Sequence, residues 1–256
     1  WSVFESQWVE FVELDVPVEG LPPELDGFRI LHLSDFHLGA LGLNSRTLAR
    51  AVSWADRRDP DLVVVTGDLL THPRGEATLR RCLARLPARY GAYAVLGNHD
   101  VAETRDPFSK ASEIRDLDDV GVRLLNDSAH VFEARGVRVQ VAGVSPAAYM
   151  LGRADPAALA DPAVPFRILL CHFPEIVDAV PPGTYALALA GHLHGGQICV
   201  PYPGGKLRLS HVRGAYWEGV FRSDGTTLHV SRGLGTTFVP FRLFARPEAT
   251  ELVLRA

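Results

Sequence analysis

The chain has 256 residues, 47% of them hydrophobic and 22% charged, ordinary proportions for a globular protein that buries its own core without disulfide staples. Its 26 Lys and Arg against 30 Asp and Glu leave a net charge of −4, which excludes the general electrostatic pull of a nucleic-acid binder. No apolar run reaches the roughly 20 residues of a membrane span, and Cys82, Cys171 and Cys199 are odd in number and lack a CxxC pair, so buried thiols are expected rather than disulfides or a zinc knuckle.

Residues 1–26 read as a lead-in to a domain that fills 1–256. The opening on Trp1 rather than Met fits a chain that has lost a signal or membrane anchor. Trp1 and Trp8 belong either to a membrane-proximal stem or to an edge strand. "FRILHLSDFH" is a strand that ends at Asp35 and His37. Asn44 then caps a helix to about Asp56, with Leu48, Ala51, Val52 and Ala55 on one face. "DLVVVTGD" is a strand ending at Asp68, and "GEATLRRCLARL" a helix with Leu79, Cys82, Leu83 and Leu86 as its stripe. "YAVLGNHD" ends at Asn98, His99 and Asp100. "SEIRDLDDVG" spaces Ile114, Leu117 and Val120 helically and stops at Gly121. "VRVQVAGV" alternates as a half-exposed strand does. "FRILLCH" ends at His172, with Pro174 opening a short helix. "YALALAGHLH" ends at His192 and His194, and "TLHVSRGLG" and "ATELVLR" close the chain as strands.

Short, wholly apolar runs read as strands buried on both faces, and their alternation with helices implies βαβ units. The expected architecture is two packed sheets with helices outside. Five of the runs end in metal-capable residues, which places those residues together at one rim, beyond the carboxyl ends of the strands.

Asp35, His37, Asp68, Asn98, His172, His192 and His194 offer two carboxylates, an amide oxygen and four imidazoles. A tetrahedral zinc takes four ligands in total, so the set fits two metals sharing one carboxylate. Asp68 is the natural bridge, because it stands alone at its strand end. Ligands of mixed N and O type without thiolate suit Mn, Fe or Zn. Two divalent ions, two carboxylates and one hydroxide leave a formal balance of about +1, which favours an anionic phosphoester substrate. Gly67, Gly97 and Gly191 each precede a ligand and let the chain turn sharply there. Gly195 and Gly196 could form an anion-binding nest. On an extended segment, His192 and His194 would point the same way.

These motifs resemble those of the calcineurin-like metallophosphoesterase superfamily: "DFH", "GD", "GNHD", the isolated His172 and "GHLH", in that order. The tail "HGGQ", "SRGLGTT" and "RPE" looks like its bacterial YkuE-like branch, whose relatives include enzymes acting on UDP-2,3-diacylglucosamine. The resemblance implies a four-layer α-β-β-α sandwich, two mixed sheets flanked by helices. It implies one divalent ion, manganese first, on Asp35, His37, Asp68 and His194, and a second on Asp68, Asn98, His172 and His192. His99 is implied as the non-ligand histidine that serves the phosphoryl group or leaving oxygen, with Asp100 accepting its ring N–H. The implied reaction is attack of a metal-bridging hydroxide on a phosphomonoester, phosphodiester or pyrophosphate. A small or lipid-linked substrate is expected, such as a UDP-diacylglucosamine-like molecule or a phospholipid. Peripheral membrane association is the partner expectation, no nucleic acid is expected, and a bacterial membrane surface and the cytoplasm both stay open as locations. The rival reading is a non-catalytic scaffold on the same fold, which the presence of His99 and Asp100 disfavours.

Outside the motifs, His32 reads as a core group, His72 and Arg74 as surface loop, and His130, His211 and His229 need no catalytic role. "GTTFVPFRLFARPE" reads first as core packing of the last strands and second as a lipid-facing wall, with Arg242 placed to meet a phosphate.

Overall fold

The computed structural model describes residues 1–112, 114–210 and 214–256. Its strands are β1 (Glu10–Pro17), β2 (Arg29–Leu33), β3 (Leu62–Thr66), β4 (Ala92–Val95), β5 (Val122–Leu124), β6 (Ser128–Ala134), β7 (Val137–Gly143), β8 (Phe166–Leu170), β9 (Leu187–Ala190), β10 (Cys199–Tyr202), β11 (Gly205–Arg208), β12 (Gly219–Ser223), β13 (Thr226–Val230) and β14 (Glu248–Arg255). They form two six-stranded sheets, ordered β1-β14-β2-β3-β4-β5 and β12-β13-β9-β8-β7-β6, and a separate hairpin, β10-β11. In the first sheet β2, β3, β4 and β5 are parallel, and in the second β7, β8, β9 and β13 are parallel.

The apolar runs form these strands because both sheet faces are covered. In β3, Leu62 and Val64 point to the second sheet while Val63 and Val65 point to the helices. In β8, Phe166, Ile168 and Leu170 meet the first sheet, and Leu169 faces the opposite layer. The two-residue period therefore buries every side chain of these runs except the half-buried Arg167. The helices Asn44–Ala55 and Glu76–Leu83 cover the first sheet with Leu48, Ala51, Val52, Ala55, Leu79 and Leu83. Among the described residues, the outer face of the second sheet carries short pieces: Pro146–Met150, Pro156–Leu159 and the 3₁₀ turn Pro174–Ala179 that Pro174 opens. The expected sandwich is present, with a slender fourth layer.

Four local expectations change. Asn44 is the first helical residue and Leu43 the cap; the Asn44 amide instead donates to the carbonyls of His37 and Thr236 and ties two rim loops together. The helix expected over 112–121 shrinks to a 3₁₀ turn, Asp118–Val120. There Ser112 donates its N–H and hydroxyl to the Asp100 carbonyl, while Ile114 and Leu117 still reach the core; Glu113 lies outside the described residues. Strand β7 is buried rather than half-exposed, because the Gln140 side chain satisfies the Leu159 carbonyl and the Asp161 N–H. The 238–244 stretch is a loop with Phe238 and Phe244 exposed, not packing of the last strands. The lead-in contributes β1, an edge strand that pairs in parallel with β14 from Glu10 to Pro17.

Phe166 sits fully buried between the sheets. Phe166→Ala is expected to lower unfolding free energy by about 3–5 kcal/mol, read from the urea midpoint at constant slope. A loss under about 1 kcal/mol, the range of surface substitutions, would contradict this placement.

Candidate metal centre

Every site residue follows the carboxyl end of a parallel strand. Asp35 and His37 leave β2, Asp68 leaves β3, and Asn98, His99 and Asp100 leave β4. From the second sheet, His172 leaves β8, and His192 and His194 leave β9. The two sheets thus contribute opposite walls of one centre, the arrangement expected where strand ends converge.

Two groups of ligand atoms meet on the Asp68 carboxylate. His37 Nε2 lies 3.0 Å from His194 Nε2, and the latter 3.4 Å from Asp35 Oδ1. His37 Nε2 is also 3.5 Å from Asp68 Oδ2. On the other side, His172 Nε2 lies 3.2 Å from the same Asp68 Oδ2, and His192 Nδ1 3.0 Å from His172 Nε2. Asp68 Oδ1 accepts the His99 backbone N–H at 2.9 Å, so only one oxygen is shared. Asp35, His37, Asp68, His172 and His194 are buried, and His192 is half-buried.

The tautomers follow from the outer bonds. His172 Nδ1 lies 2.8 Å from the Thr66 carbonyl, which can only accept, so the proton sits on Nδ1 and Nε2 turns its lone pair inward. His37 Nδ1 pairs with Thr71 Oγ1 at 2.9 Å, leaving its Nε2 to face the centre likewise. Imidazole nitrogens this close need a cation or a proton between them. The charge balance says the same. Burial raises Asp35 to about 6. Burial also opposes charge on His172, yet the Asp68 and Asp35 carboxylates outweigh it and hold His172 up to about 9. Asp68 is held well below the usual carboxylate range: burial raises it, but His172 and His99 outweigh that. Asn98 Oδ1 is buried with no hydrogen-bond partner among the described residues, an acceptor left for a ligand. Asp35, His37 and His194 form one cluster of ligand atoms, Asp68, His172 and His192 another, and His37, Asp68 and His99 a third between them; with the Asn98 amide oxygen these donors fit a site for two divalent ions.

The backbone is bent to achieve this. Asp35, His37, Asp68, His192 and His194 all have positive φ, between 46° and 78°, a region that non-glycine residues rarely occupy. Strain of this kind persists where the surroundings over-determine it, and it clusters at functional sites. His192 and His194 therefore do not converge through an extended segment; two left-handed turns aim them. The glycines also act differently from expectation. Only Gly67 of the three that precede ligands has positive φ. Gly97 and Gly191 are required by contact: a Cβ at Gly97 would strike the Asp68 carboxylate, and one at Gly191 would strike Ser34 and the Asp35 carboxylate. At Gly195 and Gly196 no open nest forms, since the Gly196 and Gln197 N–H groups are spent on the Leu193 and His194 carbonyls.

His99 stands beside the centre, its ring 4.6 Å from that of His37 and 6.4 Å from Phe238. Its Nε2 pairs with Thr104 Oγ1 at 3.2 Å and Thr237 Oγ1 at 3.4 Å. Asp100, expected to hold this ring, does not reach it. The Asp100 oxygens accept the N–H groups of Gly97, Leu69 and Leu70, so this carboxylate fastens the Asp68 loop to the Asn98 loop. Burial, together with the Asp68 charge, pushes Asp100 up to about 7. The carboxylate nearest His99's partners is Asp106, whose Oδ2 is 3.3 Å from Thr237 Oγ1. Gln197 grips Thr237 with both ends of its amide, which accounts for the "HGGQ" and "GTT" pieces together. Thr104 and Asp106 belong to no motif of the sequence, and Gln197 and Thr237 enter it only within those tail pieces; the signal all four share is a position on loops that follow ligand-bearing strand ends or β13.

Arg242 does not reach solvent. Fully buried, its guanidinium donates to the carbonyls of Gly235, Arg232 and Ala245 and lies 3.1 Å from His194 Nδ1. His32 is a core group as expected: its Nδ1 meets His229 Nδ1 at 2.8 Å across the two sheets. His72 and Arg74 stay on the surface side of their loop, His130 pairs with Tyr93, and His211 lies outside the described residues. Above the centre is a cleft of about 550 Å³, lined by Asp68, Asn98, His99, Arg105, His192 and Phe238 among others.

A family model described as calcineurin-like phosphoesterase matches residues 28–196, which include every metal-ligand candidate. The uncharacterized metallophosphoesterase YkuE of Bacillus subtilis is 28% identical over 98% of this chain and 87% of its own length. The UDP-2,3-diacylglucosamine pyrophosphatase LpxG of Chlamydia muridarum is 27% identical over 95% of this chain and 88% of its own. Phosphodiesterase YaeI of Escherichia coli is 25% identical, covering 89% of this chain and 82% of its own. Among solved structures, the Haemophilus influenzae NAD nucleotidase NadN aligns with a TM-score of 0.51 at 14% identity, over 81% of this chain and less than half of that one, a likeness of fold. With the strand order, the convergent Asp and His side chains and a family match across most of the chain in agreement, this protein is a member of the calcineurin-like phosphoesterase family.

Proposed function

We propose that the chain hydrolyses a phosphoester or pyrophosphate bond of a small or lipid-linked substrate with two divalent ions. Asp35, His37, Asp68 and His194 would hold one ion, and Asp68, Asn98, His172 and His192 the other. The observation that carries this reading is Asp68 Oδ2, which lies within 3.5 Å of His37 Nε2 and 3.2 Å of His172 Nε2 at once. Ions bound there supply Lewis acidity toward phosphoryl oxygens and lower the pKa of solvent water, with manganese the first candidate. His99 faces the same cleft from a fixed backbone, close enough to serve the phosphoryl group or to give its proton to the departing oxygen. Asp100 keeps that backbone in register rather than polarising the ring. Arg105 lines the cleft and offers a cation to an anionic substrate. The name of the Chlamydia relative supports a lipid-linked phosphoester as the substrate class, and that of the Escherichia coli relative a phosphodiester. A scaffold role gains no support from a centre with its ligand set and His99 in place.

Purified protein loaded with Mn²⁺ is expected to hydrolyse bis-p-nitrophenyl phosphate and to stop on chelation. His99→Ala should keep both ions yet lose roughly 10²- to 10³-fold in kcat, the scale of a removed proton donor. Turnover unaffected by His99→Ala, or no turnover against a phosphoester panel at full metal occupancy, would contradict the reading.

Metal that binds only the folded chain must also raise its stability, by about 2.7 kcal/mol when free ion exceeds the dissociation constant 100-fold. Wild type should therefore melt higher with Mn²⁺ than with chelator. Gly97→Ala, which drives a methyl into the Asp68 carboxylate, should abolish that difference. An undiminished thermal shift in Gly97→Ala would show that Asp68 is not a ligand.

A further inference from the structure

The two ring nitrogens of His99 meet different surroundings. Nδ1 is buried and has no hydrogen-bond partner among the described residues. Nε2 lies 3.2 Å from Thr104 Oγ1 and 3.4 Å from Thr237 Oγ1. Both threonines line the metal cleft, so Nε2 marks the edge of the ring that turns toward a substrate. Whether that edge carries a proton decides whether it donates or accepts there. Asp100 does not set this, because its oxygens are spent on the N–H groups of Gly97, Leu69 and Leu70.

Behind Thr237 stands Asp106, a buried carboxyl group on the loop after β4. Its Oδ1 accepts the Phe108 N–H at 2.9 Å. Its Oδ2 lies 3.3 Å from Thr237 Oγ1 and 3.4 Å from the Phe238 nitrogen. These donors are all neutral, and burying a carboxyl group among neutral donors costs free energy.

The chain of bonds has a direction. A carboxylate only accepts, so the Thr237 hydroxyl gives its proton to Asp106. Thr237 Oγ1 is then an acceptor toward His99, and Nε2 must be the protonated nitrogen to use it. Thr104 fits the same direction: its Oγ1 accepts the Asp106 N–H at 3.2 Å and keeps a second lone pair for Nε2–H. Bonds of this length at a catalytic group tighten when substrate is bound.

Both ends of the chain are fixed through the backbone. Gln197 Oε1 accepts the Thr237 N–H at 3.1 Å, and the Gln197 amide donates to the Thr237 carbonyl at 2.9 Å. The His99 N–H is bonded to Asp68 Oδ1 at 2.9 Å, and the His99 carbonyl accepts the Ser109 hydroxyl at 3.4 Å. The Ser109 N–H in turn donates to the Asp106 carbonyl. With the backbones held, what Asp106 and Thr237 add is the placement of a proton.

We propose that Asp106 is a positioning residue for the reaction: through Thr237 it fixes the His99 tautomer with the proton on Nε2, so that an N–H faces the departing oxygen in the cleft. The proposal rests on the reading of the site as a phosphoester hydrolase, and it assigns a role to two residues outside the ligand set.

The test joins a spectrum to a leaving-group series. Nitrogen-15 NMR of histidine-labelled, Zn²⁺-loaded protein reads the ring proton without turnover, in mildly alkaline buffer that keeps imidazole neutral; His99→Ala assigns the signals. Wild type is expected to show a protonated His99 Nε2. Asp106→Asn sets an NH₂ against the Thr237 hydroxyl, which turns the hydroxyl proton toward His99 and drives the ring proton to Nδ1. Thr237→Val should lower the protonated fraction of Nε2, and Thr237→Ser should restore it. With Mn²⁺, Asp106→Asn and Thr237→Val should each lower kcat roughly tenfold on bis-p-nitrophenyl phosphate and roughly 10²-fold on diphenyl phosphate, whose leaving oxygen needs more help. KM and metal content should stay at the wild-type values, and Thr237→Ser should recover most of kcat. A bare Nε2 in wild type would overturn the proposal. So would Asp106→Asn and Thr237→Val proteins with wild-type spectra, or with equal losses on both substrates. Wild type that hydrolyses neither ester would count against the hydrolase reading itself, and the spectrum would still decide whether Asp106 places the proton.

Discussion

One carboxylate oxygen organises this molecule. Asp68 Oδ2 is within reach of His37 from the first sheet and His172 from the second. Its own position is fixed from three directions. The His99 N–H binds its other oxygen, its loop is bonded through Asp100 to Gly97, and Gly97 leaves room where a side chain would collide. The sandwich brings the ends of parallel strands from two sheets to a common rim, and the carboxylate at the end of β3 sits where those ends meet.

Holding so many polar groups in a buried place has a structural cost, and the surrounding fold offsets it. Five ligand candidates occupy left-handed backbone, stabilised by backbone bonds between loops such as those from the Asp35 N–H to the Gly67 carbonyl and from the Gly235 N–H to the Asp35 carbonyl. Arg242 fills the space behind His194 and collects carbonyls that would otherwise be unsatisfied, which is the work of a structural cation. Gln197 anchors Thr237, and Thr237 touches His99. The loop after β13 therefore belongs to the centre although it offers no ligand. Beneath it the His32–His229 pair joins the two sheets; burial holds both imidazoles below their ordinary range, so each stays neutral and one donates to the other.

The ligand-bearing strands β2, β3, β4, β8 and β9 were legible in the sequence because their burial on both faces writes a short apolar run, whereas the short β5 and the largely exposed β6, β10, β11 and β12 write no such run. The ligand set was legible because each member stands just past such a run. What escaped is what depends on pairs distant in sequence. Nothing local in "GNHD" says that Asp100 turns back to three backbone N–H groups rather than to the neighbouring ring. Nothing in "FVPFRLF" says that Arg242 lies inside while Phe238 and Phe244 lie outside, since that is settled by the carbonyls the guanidinium finds. The helix expected near 112–121 had the right spacing, and Ile114 and Leu117 are buried as the spacing requires. Hydrogen bonds from Ser112 to Asp100 give the backbone another course. The glycines were identified with the wrong reason at Gly97 and Gly191, where the need is for space rather than for an unusual φ.

The most direct measurement of the shared-carboxylate centre is anomalous scattering from a manganese-loaded crystal of the wild-type chain. Two peaks are expected, one on each side of Asp68 Oδ2, the first among Asp35, His37 and His194 and the second among Asn98, His172 and His192. A single peak that leaves either group empty, or two peaks that Asp68 does not touch, would contradict it.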